Sequence, residues 1–210
     1  MSAMCWQTQL RQTLERFRKA DQPPRIAIVG VGHELRGDDA IGIKLAHALH
    51  EQMGTNEHIL VVEAGSAPEN CCGLLRRFKP EMVLVIDAAQ MNEAPGSVRW
   101  LDWQDITDMA VSTHSTSLRF FADYLTSELD CHTALLGIQP ASMAFDNPLT
   151  PILEQTLQEV SAFLAELLQK RNRSENASTK LTERLLTEVH IQGGAWEWMA
   201  LHNDKEASSI

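Results

Sequence analysis

Three polar residues stand where apolar runs give way to loops, and their types suit metal or hydrolytic chemistry. Asp39 follows the run Ile26-Ala27-Ile28-Val29-Gly30-Val31-Gly32, within His33-Glu34-Leu35-Arg36-Gly37-Asp38-Asp39. Asp87 closes Met82-Val83-Leu84-Val85-Ile86-Asp87, and His114 lies in Ser112-Thr113-His114-Ser115, just ahead of an amphipathic stretch. Two carboxylates and one imidazole make a mixed oxygen and nitrogen donor set for a divalent metal. Each residue also has an ordinary structural reading. Asp39 could be a helix-start carboxylate held by backbone amides, Asp87 a strand-end acid bonded to a loop, and His114 a polar residue near a helix start. Position in the chain does not by itself show that the three converge.

The elements around them decide whether convergence is reasonable. Apolar runs at 26–31, 59–63, 82–86 and 134–138 read as buried strands, with a short one at 97–100 after the turn Asn92-Glu93-Ala94-Pro95-Gly96. Helical periodicity runs from Asp38 to about Gln52 (Ile41, Leu45, Ala48, Leu49), over 116–129 (Leu118, Phe121, Ala122, Leu125, Leu129) and over 150–169 (Leu153, Leu157, Val160, Leu164, Leu167). A shorter helix ends near Lys79. Strands alternating with helices imply right-handed crossovers and an α/β fold, a three-layer α/β/α sandwich on a mostly parallel twisted sheet. In such sheets the loops beyond the carboxyl ends of the strands line the ligand crevice. All three polar residues fall in that class of loop. Residues 1–24 read as a helical extension (Trp6, Leu10, Leu14, Phe17) ended by Pro23-Pro24, 25–170 as the main domain, and 171–210 as a polar linker with an aromatic tail. A short helix is expected at 181–190.

Common catalytic motifs fail on spacing. Gly30-Val31-Gly32 begins like a dinucleotide fingerprint, yet the third glycine is displaced to Gly37. No Gly-Lys-Ser/Thr follows, and no GxSxG elbow occurs. His33-Glu34 starts like HExxH, but position 37 is glycine. His47 and His50 share a helix face at a spacing metals accept, although solvated histidines account for them as well. Cys5, Cys71, Cys72 and Cys131 form no CxxC pair and read as reduced, structural thiols.

Composition narrows the partners. A formal net charge of -10 over 210 residues disfavours nucleic acid and anionic membrane surfaces. With 44% hydrophobic and 22% charged residues, and no apolar run of spanning length, the expectation is a cytoplasmic globular protein, with nothing demanding more than a monomer.

Several strings together resemble the hydrogenase maturation endopeptidases, nearest to their hydrogenase 3 (formate hydrogenlyase) branch. They are Gly30-Val31-Gly32 with Gly37-Asp38-Asp39, Gly65-Ser66-Ala67-Pro68-Glu69-Asn70, Ile86-Asp87-Ala88, Pro95-Gly96-Ser97-Val98-Arg99, Thr113-His114-Ser115 and Leu136-Gly137-Ile138-Gln139-Pro140. They run in the family's order over roughly residues 25–170. The resemblance implies an endopeptidase that removes a C-terminal extension from the precursor of a [NiFe] hydrogenase large subunit. It implies that Asp39, Asp87 and His114 contact nickel carried by that precursor, with no stored cofactor required. Direct water attack is the chemistry it suggests, with Asp38 as a candidate base. The family is sometimes grouped with aspartic peptidases, although adjacent Asp38-Asp39 is not the two-lobed arrangement of that class. Where the family usually has asparagine after Gly-Val-Gly, this chain has His33. Two rival functions stay open at this point: a non-catalytic, nickel-dependent hydrogenase assembly factor, and a self-contained metallopeptidase of broad specificity.

Overall fold

In a computed structural model, residues 5–17, 23–54, 56–103 and 115–169 are described. The chain divides into two compact units, Met1–Gln169 and Lys170–Ile210. The second unit lies outside the described residues, and with it the expected linker, the 181–190 helix and the aromatic tail.

The order in the first unit is α1 (Trp6–Arg16), β1 (Ile26–Val31), a 3-10 turn (Gly37–Ala40), α2 (Ile41–Met53), β2 (Ile59–Gly65), a second 3-10 turn (Pro68–Cys71), α3 (Cys72–Phe78), β3 (Met82–Ala88), β4 (Val98–Asp102), α4 (Ser115–Leu129) and β5 (His132–Ile138). A last helix, α5, covers 151–169. The five strands form one sheet in the order β2-β1-β3-β5-β4. β1 pairs in parallel with β2 and β3, and β3 with β5, while β4 closes the edge antiparallel to β5. The expected mostly parallel α/β architecture is therefore the observed one.

Strand period separates two cores. Ile26, Ile28, Met82, Leu84, Ile86, Ala134 and Leu136 point into the layer holding α1, α2 and α5, against Leu14, Leu45, Leu49, Leu153 and Leu164. Ala27, Val29, Val83, Val85 and Leu135 point the other way, against Leu75 of α3 and Leu118, Phe121 and Leu125 of α4. Strands buried on both faces need continuous apolar runs, which is what the sequence carries at 26–31 and 82–86. Helix α1 joins the first of these cores through Leu10 and Leu14, and Trp6 meets Phe163 of α5 edge-on at 4.9 Å between centroids.

The chain leaves β1 toward β2 on one side and β3 on the other, so strand order reverses between β1 and β3. That is the topological switch point, where open α/β sheets leave a crevice beyond the carboxyl ends.

Candidate active site

Two of the three chemically suited residues flank that switch point. Asp39 belongs to the turn that follows β1, and Asp87 is the penultimate residue of β3, in register with Gly137 of β5. Both are fully buried.

Close backbone packing brings them to one edge. The first turn of α2 rests on the ends of β1 and β3, since a Cβ at Gly42 would collide with the carbonyl oxygens of Ile86 and Val31. Gly30 faces it, where a side chain would strike the Gly42 carbonyl. Gly32, at φ +145°, lies under the Asp39 carbonyl oxygen, and His33 N–H donates to that same oxygen at 3.3 Å. The glycines that imitate a dinucleotide fingerprint thus serve to bring a helix start against strand ends. Asp39 N–H donates to Arg36 C=O at 3.1 Å, which closes the turn. On β3 the alternation places Asp87 with Val83 and Val85, on the face that α3 and α4 cover. Its Oδ1 accepts the Ala88 N–H at 2.9 Å.

His114 lies outside the described residues. What is described is Ser115, the first residue of α4. Because α4 leads into β5, which runs parallel to β3, its amino end belongs to the carboxyl edge of the sheet, and its packing against the turn after β2 agrees. Among the described residues, no three of His, Cys, Asp or Glu are grouped to hold a metal ion.

Asp38 reaches a distant segment of the chain. It is fully buried, and its Oδ2 accepts the N–H groups of Ala141 and Ser142, each at 2.8 Å. Its Oδ1 accepts the Thr150 N–H at 2.7 Å, and the Thr150 hydroxyl lies 3.0 Å from both oxygens. Thr150 C=O receives the first bonds of α5, from Leu153 and Glu154, so Thr150 is its N-cap and Pro151 its first helical residue. The carboxylate therefore sits at the amino end of α5, where a helix dipole suits an anion. Both oxygens of Asp38, the candidate base, thus hold the 141–150 segment. The sequence reading missed Thr150 as the partner; a threonine before proline at a helix start was the available signal.

Gln139 is a second buried organiser. Its Oε1 accepts Met91 N–H (2.7 Å) and Glu93 N–H (3.3 Å), and its Nε2 donates to Gln90 Oε1 (3.0 Å) and Pro140 C=O (3.2 Å). The Leu-Gly-Ile-Gln-Pro string thereby ties the end of β5 to the loop after β3.

The surroundings of three of the cysteines disfavour the thiolate. Burial, reinforced by the neighbouring Cys72, pushes the Cys71 thiol up to about 12, and Cys71 Sγ donates to Pro68 C=O at 2.9 Å. Burial also raises Cys131 and Cys72. His47, on an exposed helix face, pairs with Glu63 at 3.0 Å and Glu51 at 3.5 Å, far simpler company than a metal shell. No helix among the described residues is long and apolar enough to cross a membrane.

Comparison with known proteins agrees with this architecture. The Hydrogenase 3 maturation protease of Escherichia coli (strain K12) is 33% identical over 131 residues, covering 62% of this chain and 82% of that protein. A putative hydrogenase maturation protease of Methanocaldococcus jannaschii is 31% identical over 127 residues, 58% of this chain and 75% of that protein. The crystal structure of a [NiFe] hydrogenase maturation protease HycI from Thermococcus kodakarensis KOD1 superposes with a TM-score of 0.65 at 30% identity, covering 70% of this chain and 93% of that one. The family model HycI, described as hydrogenase maturation protease, matches residues 43–170. With more than half of its length matched, the chain belongs to the HycI family of hydrogenase maturation proteases, enzymes that hydrolyse peptide bonds.

Proposed function

We propose that this protease removes a C-terminal extension from the precursor of a [NiFe] hydrogenase large subunit, and that it reads nickel already seated in that precursor. The observation that carries the reading is the placement of Asp39 and Asp87. Two fully buried carboxyl-bearing residues, one in the turn after β1 and one at the carboxyl end of β3, border the switch point at the edge where α4 begins. Carboxylates joined by the imidazole of His114 are a borderline donor set that Ni(II) accepts. A three-residue shell leaves positions open for donors from the substrate, so the metal belongs to the precursor and the protease keeps no stored ion.

The chemistry assigned to each group follows from where it stands. Asp38 braces the loop beneath the site and takes no part in proton transfer. Water attacks the peptide carbonyl, and a carboxylate of the Asp39/Asp87 pair takes the proton that water gives up. The same carboxyl group then passes that proton to the nitrogen of the departing peptide as the C–N bond breaks, which restores the carboxylate. The reading includes a cytoplasmic monomer as the working form.

The test is a panel of Asp39→Ala, Asp87→Ala and His114→Ala. Each variant is expected to keep its far-UV spectrum and to lose precursor processing by at least about 100-fold, the scale of a lost acid–base or metal contact. Wild-type processing in any two of them contradicts the assignment. An intact precursor held tightly by the wild-type protein would instead favour a binding factor.

A further inference from the structure

The buried Asp38 carboxylate holds two loops together, and those loops display apolar side chains to solvent. Leu35 is 52% exposed and Phe145 is 67% exposed, the latter among the most exposed large apolar residues described. They are neighbours through the backbone: Asp146 N–H donates to Leu35 C=O at 2.7 Å, Gly37 N–H to Asn147 C=O at 3.1 Å, and Asp38 N–H to Ser142 C=O at 2.9 Å. The His33 ring stands 6.4 Å from the Phe145 ring, centroid to centroid. Its Nδ1 accepts the Leu35 N–H at 3.2 Å, which leaves Nε2 to carry the proton of the neutral ring. His33 is thereby a hydrogen-bond donor in this loop; ligating a metal through Nε2 would require giving up the Leu35 contact.

We propose that Leu35 and Phe145, with the His33 Nε2–H beside them, form the specificity-determining rim that seats an extended apolar segment of the precursor polypeptide next to Asp39. The inference rests on the reading of this protein as a precursor-processing protease. Three observations support that occupant. The rim is continuous with the site, because His33 N–H is bonded to the Asp39 carbonyl and Asp38 is the adjacent residue. The rim is braced: Asp38 and the cross-loop bonds fix its backbone before any partner arrives, so little ordering entropy opposes docking. Three residues after Phe145, Pro148 borders a cleft of about 430 Å³ that Lys44, Leu149, Glu154, Leu157 and Gln158 also line. An extended peptide presents alternating side chains and backbone carbonyls, which is what apolar contacts next to a fixed N–H donor recognise.

The experiment is steady-state cleavage of the nickel-loaded precursor by the full chain and its Leu35→Ser, Phe145→Ser, Phe145→Leu and Leu74→Ser variants. Leu35→Ser and Phe145→Ser are expected to raise KM about tenfold each while kcat stays within about twofold, a loss of about 1.4 kcal/mol of docking. Phe145→Leu keeps an apolar side chain and is expected to return KM to within about threefold of wild type. Leu74→Ser alters an exposed apolar residue on α3 and is expected to leave KM unchanged. Wild-type KM in both serine variants overturns the rim, as does an equal rise in Leu74→Ser. No cleavage by the wild-type chain overturns the protease reading instead, so the two failures are distinguishable.

Discussion

Asp38, as fully buried as its neighbour Asp39, has a bracing role that its hydrogen bonds define. Asp38 serves three backbone N–H groups and one hydroxyl from a segment more than a hundred positions away. Replacing it with alanine strands those donors, and Asp38→Ala is expected to cost about 3 kcal/mol in urea unfolding, since unsatisfied buried donors are the expensive case. A variant as stable as wild type would contradict the bracing role. The thiols give a second check. The hydroxyl of Thr8 and nearby backbone N–H groups lower the exposed Cys5 below its ordinary value, whereas burial raises Cys71, Cys72 and Cys131. Iodoacetamide near pH 8 is therefore expected to label Cys5 first and to leave cleavage intact, read by mass spectrometry and activity together. Because Cys71 is raised to about 12 from 9.0, the unfolded chain loses its proton first. That contribution to stability is present below pH 9 and is lost as pH climbs from 9 toward 12.

At the scale of elements, strand ends and helix starts are brought together by glycine. A methyl group at Gly42 meets backbone on both sides, from β1 and from β3, and neither can move alone. Gly42→Ala is expected to destabilise by about 3 kcal/mol and to lower cleavage with it, because α2, with the Asp39 turn at its start, must lift off β1 and the strand β3 that carries Asp87. Unchanged melting would show that the contact is slack. Most of these elements were legible in the sequence: strands at 26–31 and 82–86 were marked by unbroken apolar runs, and α4 and α5 by their stripes. The helix expected from Asp38 proved to be a 3-10 turn over Gly37–Ala40 with α2 starting at Ile41. Local periodicity could not reveal that, because the turn is shaped by Asp38 reaching Thr150 and by Gly32 admitting the Asp39 carbonyl. Pairing across such distances leaves no periodic trace. The placement of Asp39 after β1 and of Asp87 at the end of β3 was legible because apolar runs mark where strands stop, whereas the bonds of Asp38 depend on its far partner.

For the whole molecule, two cores on either side of one sheet separate stability from chemistry. Leu14 of α1 is buried against the sheet far from the carboxyl edge in sequence, and Leu14→Ala is expected to cost about 3 kcal/mol by calorimetry or denaturant while kcat at 25 °C stays near wild type. Strong loss of kcat in a variant that is still folded would tie α1 to the site. In the proposed reading, Asp39, Asp87 and the rim at Leu35 and Phe145 stand together beyond the ends of the parallel strands, so that a precursor approaching that edge would meet recognition and hydrolysis together. The central claim is that cleavage depends on metal borne by the substrate. The most direct measurement is intact-mass analysis of a hydrogenase 3-type large-subunit precursor after incubation with this protein, in nickel-loaded and nickel-free forms. Loss of a C-terminal peptide from the nickel-loaded form alone is the predicted result; equal cleavage of both forms, or of neither, would contradict the account.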